Sequence, residues 1–567
     1  MVHAWLSLKL SKSLPLPSSS TCTSKITKWF CYDFPNQFCS LPSPAISYDS
    51  YEEGSSAVED KITYNPNLFN NTPEVQLSNL PPLVSALKTA AETNVASFHF
   101  PGHNRGLAAP SSLSPIIGSK TYTHDLCGIP ELGNLFFPQG PVFEAQKEAA
   151  KVFGSSQTWF LVGGTTSGIQ TAIMSTCSPG DYLILPRNCH VSAISGIVLS
   201  GAMPKYIFTD SNNDWNIPGG ITPSQVLNAI QEVELEGKKL GAVFITSPTY
   251  NGICSNLKEI SEICHSRKIP LIVDEAHGAH LGFHPDLPRS ALQQGADLAV
   301  QSTHKVLCSL TQSSMLHMSG DIVDKDKIQR CIQSLQSSSH SYLLMASLDA
   351  ATAQLRESAD VLFNQALELA NEAKLLLKQI PGISVLEHSH FPNFPAKDPL
   401  RITVGFWKLG LSGYEADKML LKDFGITRTL VGTKSVAYSI NLGTSRDHVH
   451  RLVSGIKHLA ARFSSIQQPK ETPNHAPLGL DDVIMRLSPR EAYFASKIKV
   501  SAKESIGKVS GELLCPFPPA VPVVVPGEVI TQKAIDFLLH SKSTGASISG
   551  ASDPSLTSVV VCNGDNY

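Results

Sequence analysis

Short apolar runs alternate with amphipathic stretches along the chain between residues 156 and 305. The apolar runs have the composition of buried strands; they are QTWFLVGG, DYLILPR, MPKYIFTD, GAVFITSP, IPLIVDEAHG and DLAVQSTHK. Apolar residues recur at helical spacing in the segments between them, which are TTSGIQTAIMSTC, HVSAISGIVLSG, ITPSQVLNAIQEVELE and NLKEISEICHSRK. Continuous apolar strands separated by helices predict the α/β class, with a mainly parallel sheet covered by helices on both faces.

The pattern changes after Ser341. The segment LLMASLDAATAQLRESADVLFNQALELANEAKLLLKQI predicts one long helix with a break, and a smaller α/β segment follows that ends near Phe463. The polar stretch SSIQQPKETPNHAP reads as a linker. The predicted organisation is an N-terminal extension (1–60), an arm (61–115), a large domain (116–350), a small α/β domain (351–465), a linker (466–480), a C-terminal α+β domain (481–535) and a tail (536–567).

Composition places the chain among globular proteins that act on small molecules. Its 567 residues are 42% hydrophobic and 16% charged, and 45 Lys and Arg against 48 Asp and Glu give a net charge of −3. No segment concentrates basic residues as a nucleic-acid surface does, and no apolar run approaches the roughly 18 to 20 residues that span a bilayer. The twelve cysteines form no CxxC pair and are read as reduced thiols. His277 and His280 lack neighbouring ligands, so no metal is predicted.

The N-terminal stretch MVHAWLSLKLSKSLPLPSSSTCTSKITKWFCYDF differs from the rest of the chain. It is rich in Ser and Thr, carries four lysines and has no acidic residue before Asp33. This composition is typical of an organelle transit peptide, and the abundance of Ser favours the plastid. A disordered extension has a similar composition, and the protein would then be cytoplasmic.

Polar residues gather where the predicted strands end. They are Gly163, Gly164, Thr165, Thr166, Ser167, His190, Asp274, Ala276, His277, Ser302, His304 and Lys305. Ligands of parallel sheets bind at the carboxyl ends of the strands, so we expect these residues to meet in one crevice. The segment GGTTSG opens a predicted helix, whose N–H groups and hydroxyls would favour a phosphate. The alternative is that these residues only form a turn and a helix cap.

Two residues of this set carry charges that are costly to bury. Asp274 ends the run PLIVD, where a carboxylate is costly to bury unless a cationic group meets it. The alternative is an Asp that only caps a helix or forms a structural salt bridge. Lys305 follows about one helix and one strand later, and desolvation lowers the pKa of a lysine and suits it to imine formation. A phosphate site, a buried carboxylate and a buried lysine are together what pyridoxal phosphate requires, and the His190 ring can stack on such a cofactor.

The sequence resembles the Orn/Lys/Arg decarboxylase family of pyridoxal-phosphate enzymes, which have the aspartate-aminotransferase fold (fold type I). The similar motifs are FHFPGHNRG, HDLCGIPELGNLFFPQGPVFEAQKEAA, VGGTTSGI, LPRNCH, ITSPTYNG, VDEAHGAHLGFH, STHK with TQSS, SYLLMASLDAA, LSPREA and PFPPAVPVVVPGE. They cover most of the chain after residue 80. The chain is similar to the short members, which lack an N-terminal receiver-like domain.

The resemblance implies roles for individual residues. Lys305 would bind the cofactor as an imine, Asp274 would contact the pyridine nitrogen, and His190 would stack on the ring. Further cofactor contacts are implied for Thr166, Ser167, Ser302 and His304 at the phosphate, for Ala276, and for His277 beside the ring. The predicted catalytic residues are Lys305, Asp274, His190 and His277.

The resemblance also suggests which residues bind the substrate and how the subunits associate. Glu491 and Glu528 are candidates for binding the distal cation of the substrate, with an exposed structural carboxylate as the alternative. The loop Ser337 to Tyr342 resembles a segment that such folds lend to the phosphate site of a neighbouring subunit. A homodimer or an assembly of dimers is therefore expected.

Several positions depart from the usual pattern of the family. They are Asn104, Arg105, Phe136, Phe137, Val191, Cys308 and His340. The residues predicted to bind the cofactor are intact, so the departures bear on substrate identity. Arginine is favoured over lysine and ornithine, because the short architecture is similar to that of biosynthetic arginine decarboxylases.

Two alternatives keep the cofactor: another reaction of the same fold, such as that of an aminotransferase or aldolase, and a catalytically inactive regulatory homologue. A nucleotide-dependent dehydrogenase is excluded because no GxGxxG turn precedes an acidic residue about 20 positions on. The expected activity is decarboxylation of a basic amino acid to its amine and CO₂, within polyamine-type metabolism.

Overall fold

A computed structural model of the protein describes residues 80–137, 139–463, 483–517, 521–543 and 545–564, which all belong to one compact unit. The predicted transit peptide (1–60) and the predicted linker (466–480) lie outside the described residues. Within the described ranges, no helix combines the length and apolarity needed to cross a bilayer. The same ranges contain no group of His, Cys, Asp and Glu side chains placed to hold a metal ion.

Helices and strands alternate through the first part of the described chain. The helices are α1 (Pro82–Glu92), α2 (Ser114–Ile117), α3 (Ser119–His124), α4 (Gly140–Phe153), α5 (Gly164–Thr176), α6 (Val191–Ser200), α7 (Pro223–Leu235), α8 (Leu257–His265), α9 (Thr303–Val306) and α10 (Lys325–Leu335). The strands are β1 (Gln157–Leu161), β2 (Tyr182–Pro186), β3 (Met203–Ile207), β4 (Ser211–Asn212), β5 (Ile217–Pro218), β6 (Leu240–Thr246), β7 (Ile253–Cys254), β8 (Leu271–Asp274), β9 (Leu298–Gln301) and β10 (Ser314–Met318).

Seven of these strands form one sheet in the order β1-β10-β9-β8-β6-β2-β3. The five neighbours from β9 to β3 pair in parallel, whereas β10 is antiparallel to both β1 and β9. The predicted mainly parallel sheet is confirmed, but the antiparallel strand was not predicted. The connection from β9 to β10, residues 302–313, contains the single turn of α9 but no full crossover helix, and β10 returns beside β9 in the opposite direction.

Helices cover both faces of this sheet, as predicted. Successive side chains of β2 point to opposite faces, because the side-chain period of a strand is two. Leu183 and Leu185 pack in a core that includes Ile169 of α5, whereas Ile184 packs in a second core with Val226 of α7. This double burial explains why the strands are continuously apolar.

A second, smaller sheet follows. The elements of this part of the chain are α11 (Tyr342–Lys378), β11 (Ser384–Val385), β12 (Ala396–Lys397), β13 (Arg401–Gly405), α12 (Gly413–Phe424), β14 (Leu430–Val431), β15 (Ser435–Ser439) and α13 (Arg446–Phe463). Strand β12 pairs with β7 and lies outside the smaller sheet. Four strands form an antiparallel sheet in the order β11-β13-β15-β14. Helix α11 breaks at Ser358, where φ is −145°, so the predicted break is confirmed. The predicted domain boundary at residue 350 falls inside this helix.

The C-terminal part contains α14 (Pro489–Phe494), β16 (Lys497–Ser501), β17 (Cys515–Phe517), α15 (Gln532–Ser543), β18 (Ser547–Ser549) and β19 (Ser558–Cys562). Strand β19 pairs with β16, and β18 pairs with β17. The predicted boundary at residue 535 therefore falls inside α15, and residues assigned to a tail form strands. Val559 and Val561 are fully buried, and this alternation is what holds β19 in place. The remaining domain boundaries stay predictions.

Candidate active site

The carboxyl ends of the parallel strands open into one cavity of about 690 Å³. The sequence-predicted residues on its wall are Gly163, Gly164, Thr165, Thr166, His190, Asp274, Ala276, His277, Ser302, His304 and Lys305. The structure thus brings all but one of the residues expected at the strand ends into this cavity. The exception is Ser167, whose hydroxyl donates to the carbonyl of Gly164 inside α5 at 2.9 Å.

One end of the cavity carries a cluster of hydroxyl groups at the N-terminus of α5. Thr165 Oγ1 lies 2.5 Å from Ser302 Oγ and 3.1 Å from Ser314 Oγ, while Thr166 is exposed toward the cavity. The first N–H groups of a helix have no intrahelical partner and favour an anion. This end of the cavity is therefore suited to a phosphate group.

Asp274 and Lys305 are placed by neighbouring strands of the sheet. Strand β8 ends at Asp274, whose Oδ1 accepts from the N–H of Ala276 at 3.1 Å. The side chain is 3% exposed, and this burial raises the pKa of Asp274 although the charge of Lys305 opposes the rise. Lys305 stands on the single turn of α9, just after β9.

Lys305 is accessible from the cavity. It lines the cavity, and a large part of its surface is accessible. Desolvation by the surrounding protein nevertheless lowers the pKa of Lys305, against the opposing effect of Asp274. A lowered pKa increases the neutral fraction of the amine, which is the nucleophilic form.

Two histidines stand next to this lysine. His277 Nε2 lies 3.4 Å from Lys305 Nζ, and burial, followed by the charges of Lys305 and Arg401, holds the pKa of His277 well below its ordinary value. His190 caps α6 by accepting from the N–H of Ser192 at 3.2 Å. Burial and then Lys305 lower the pKa of His190 to about 4. Both rings are therefore neutral around pH 7.

The two carboxylates proposed for substrate recognition lie elsewhere. Glu491 accepts from Ser488 at 2.8 Å and caps α14. Glu528 is 3% exposed, and its Oε2 pairs with Arg187 Nη2 at 2.8 Å. Neither glutamate lines the cavity, although Arg187 does. Their role in substrate binding stays a prediction.

The departures from the family pattern also have defined positions. Val191 is the first residue of α6 and does not line the cavity. Cys308 is exposed, three residues after Lys305. His340 is 3% exposed and packs edge-on against the rings of Phe136 and Tyr342.

The comparison with known protein families decides the classification. The family model for the major domain of Orn/Lys/Arg decarboxylases matches residues 81–423. The chain belongs to the Orn/Lys/Arg decarboxylase family. The model for the C-terminal domain of these decarboxylases matches residues 481–553. The fold and the recognition made from sequence motifs are thereby confirmed.

Curated relatives agree with this classification. An arginine decarboxylase of Bacillus subtilis (strain 168) is 35% identical over 478 residues, which cover 84% of this chain and 96% of the relative. The lysine decarboxylase LdcA of Pseudomonas aeruginosa is 25% identical, and the matched region covers 82% of this chain and 76% of the relative. The protein is an amino-acid decarboxylase that acts on a basic amino acid, and the family implies pyridoxal phosphate.

Solved structures of decarboxylases share the fold. The constitutive lysine decarboxylase of Escherichia coli has a TM-score of 0.71 at 23% identity, covering 85% of this chain and 82% of that one. Lysine decarboxylase A from Pseudomonas aeruginosa has a TM-score of 0.72 at 21% identity, with coverages of 86% and 81%.

Sequence reasoning missed three residues around the decarboxylase cavity. Asp210 lines it and ends the apolar run MPKYIFTD, so the rule that found Asp274 also applied here. Tyr250 lines it with its ring 4.6 Å from that of His277. Arg401 lies behind His277, with its Nη2 3.1 Å from the His277 carbonyl. It begins a strand of the small sheet, where no strand-end residue was considered.

Proposed function

We propose that this decarboxylase binds pyridoxal 5'-phosphate through Lys305. The residues present fit this group: a hydroxyl cluster at a helix N-terminus, a buried carboxylate and an accessible amine line one cavity. The hydroxyl of Thr246 is buried without a hydrogen-bond partner and also lines this cavity. A buried polar group of this kind is consistent with a ligand that completes its bonding.

Bound there, pyridoxal phosphate supplies an electron sink for the electron pair that CO₂ leaves behind. Asp274 would hold the ring nitrogen, and the hydroxyls of Thr165 and Ser302 would hold the phosphate. His277 Nε2 and Lys305 Nζ lie 3.4 Å apart, so the ring can hold the lysine by a hydrogen bond.

The substrate we propose is arginine, converted to its amine within polyamine-type metabolism. The support is the 35% identity to an arginine decarboxylase over 84% of this chain. Among the described residues that line the cavity, the carboxylates are Asp210 and Asp274. Since Asp274 is assigned to the cofactor, Asp210 is available to pair with the distal cation of a basic amino acid.

Release of CO₂ tests this function directly. Protein loaded with pyridoxal phosphate is incubated separately with carboxyl-labelled arginine, lysine and ornithine. We expect release from arginine that is abolished in Lys305→Ala and retained in Lys258→Ala, an exposed lysine outside the cavity. Release from lysine or ornithine alone would contradict the choice of substrate. Transamination without CO₂, or a bound cofactor with no turnover, would overturn the reaction itself.

The proposed assembly is a homodimer or an assembly of dimers. The segment after α1 leaves large apolar side chains in solvent: Phe98, Phe100, Leu107 and Ile116 are all exposed. Large apolar side chains left exposed in this way favour association with a second subunit. Light scattering of the purified protein should give at least twice the mass of one chain, and a monomer would contradict the proposal.

The proposed location is the plastid, with residues 1–60 as a transit peptide. The support is the composition of this segment alone, which lies outside the described residues. Fusion of residues 1–60 to a fluorescent protein should direct it into plastids, and the fusion lacking these residues should stay in the cytoplasm. Identical cytoplasmic distributions would contradict targeting.

A further inference from the structure

A chain of buried charged and polar groups leads from the small sheet to Lys305. Asp398 Oδ2 lies 3.1 Å from His280 Nε2 and 3.5 Å from Arg401 Nε. Arg401 Nη2 in turn donates to the carbonyl of His277 at 3.1 Å and lies 3.5 Å from His277 Nδ1. These four side chains are at most 7% exposed. The His277 ring is thus held between a buried arginine and the reactive lysine.

The contact with Arg401 constrains which ring nitrogen of His277 carries the proton. A neutral imidazole has one N–H donor and one acceptor, whereas a guanidinium has donors only. Because Nδ1 faces the Arg401 guanidinium, its lone pair must point there, and the proton lies on Nε2. Nε2 is the atom that faces Lys305 Nζ at 3.4 Å.

The Nε2–H tautomer of His277 affects which protonation state of Lys305 is stabilised. An Nε2–H group can donate only to a neutral amine, since an ammonium group has no lone pair. The opposite tautomer would accept from the ammonium form and stabilise it. The contacts of His277 with Arg401 therefore favour the neutral form of Lys305, which is the form that attacks a carbonyl group.

We infer that Arg401 is a positioning residue that fixes the Nε2–H tautomer of His277 and thereby keeps Lys305 in its neutral form. This inference rests on the proposed function, in which Lys305 binds the cofactor. The charged or titratable groups that face His277 are Lys305, Arg401, His190 and His280, and the Tyr250 ring packs beside it. Asp398 holds Arg401 in place: burial would raise the pKa of Asp398, but His280 and Arg401 keep it below its ordinary value.

The protonation of Lys305 can be measured without turnover. The full-length protein, without added cofactor, is treated with trace acetic anhydride over a range of pH. The acetylated fraction of the Lys305 peptide is then read by mass spectrometry. We expect Arg401→Met to raise the apparent pKa of Lys305 by about half to one pH unit, the size of one exchanged hydrogen bond. Arg428→Met removes an arginine from another ion pair, with Asp417, and should leave the profile unchanged.

A double-mutant cycle separates the tautomer from the charge of Arg401. In a His277→Phe background only the charge is lost with Arg401→Met, so the shift should be smaller than in the wild-type background. Equal shifts in both backgrounds, or no shift in a folded Arg401→Met protein, would overturn the inference. If the single variant does not fold, Asp398→Asn with Arg401→Met removes both buried charges together. Because the assay reads Lys305 alone, its result is independent of the CO₂ assay.

Discussion

The residues of the site are placed at some cost to the folded protein. Asp274 ends a buried strand, and the hydrogen bond from the Ala276 N–H compensates in part for its burial. Burial raises the pKa of this carboxyl, so the folded protein retains the proton to a higher pH than the unfolded chain does. The unfolded state then binds fewer protons, and the free energy of unfolding falls as pH rises above the ordinary pKa.

Replacement of Asp274 by Asn should separate stability from activity. Asn keeps the acceptor for the Ala276 N–H but removes the buried charge. We expect the cofactor-free variant to be more stable at pH 7, by about 1 to 3 kcal/mol, and kcat to fall about 100- to 1000-fold. Urea unfolding at pH 5 and pH 7 and CO₂ release check both effects. An equal or lower stability at pH 7 would show that the carboxylate is well compensated.

At the residue scale, the sequence identified those site residues that directly follow an apolar strand. Asp274 and Lys305 were identifiable because a charged residue directly after an apolar strand is costly unless it has a purpose. Arg401 was not, because its partner His277 is 124 positions away in sequence, and only the packing of the small sheet brings them together. Glu528 was found as a residue, but its pairing with Arg187 depends on the docking of the C-terminal part.

Helix α5 contributes Thr165 to the hydroxyl cluster, and a glycine allows this helix to lie close to the sheet. A Cβ atom at Gly168 would lie 2.5 Å from both Leu161 Cδ1 and Val300 Cγ1. These side chains belong to β1 and β9, and the residues that follow these strands, Gly163 and Ser302, line the cavity. The sequence predicted α5 from its period, but the close approach is a property of packing.

Gly168→Ala should therefore move α5 away from the sheet. Overpacking costs about 1 to 3 kcal/mol of stability, and displacement of Thr165 should weaken retention of pyridoxal phosphate by up to about tenfold. Dialysis followed by cofactor absorbance measures retention. Gly443→Ala is the control, since its Cβ would meet only an ordinary contact of 3.5 Å. Unchanged retention in a destabilised Gly168→Ala protein would show that the phosphate end does not depend on α5.

At the scale of the whole molecule, one buried arginine in the cavity wall connects the large sheet to the C-terminal part of the chain. Arg187 follows β2, and its guanidinium donates to the carbonyls of Pro522 and Val523 at 2.7 and 3.0 Å. It also pairs with Glu528 at 2.8 Å, with both side chains at most 4% exposed. The C-terminal part thereby contributes to the wall, where Val521 and Phe537 line the cavity. A domain that is remote in sequence is coupled to the site by this contact.

Glu528→Gln distinguishes this structural role from substrate binding. The change leaves the Arg187 charge buried without a counter-charge, and breaking a buried pair in this way costs about 3 to 5 kcal/mol. The denaturant midpoint of the substrate-free protein should fall accordingly. The exposed pair of Lys88 and Glu92 supplies the control, since Glu92→Gln should cost less than about 1 kcal/mol.

The double change Arg187→Met with Glu528→Met should recover only part of the lost stability, because it leaves no unpaired charge but removes the hydrogen bonds to the Pro522 and Val523 carbonyls. If Glu528 instead binds the distal cation of the substrate, Glu528→Gln would raise KM for arginine while the midpoint stayed near that of the wild type. A large fall in midpoint with an unchanged KM in the remaining folded protein assigns Glu528 to the connection between the sheet and the C-terminal part. Recognition of the distal cation then rests on Asp210, whose carboxylate lines the cavity.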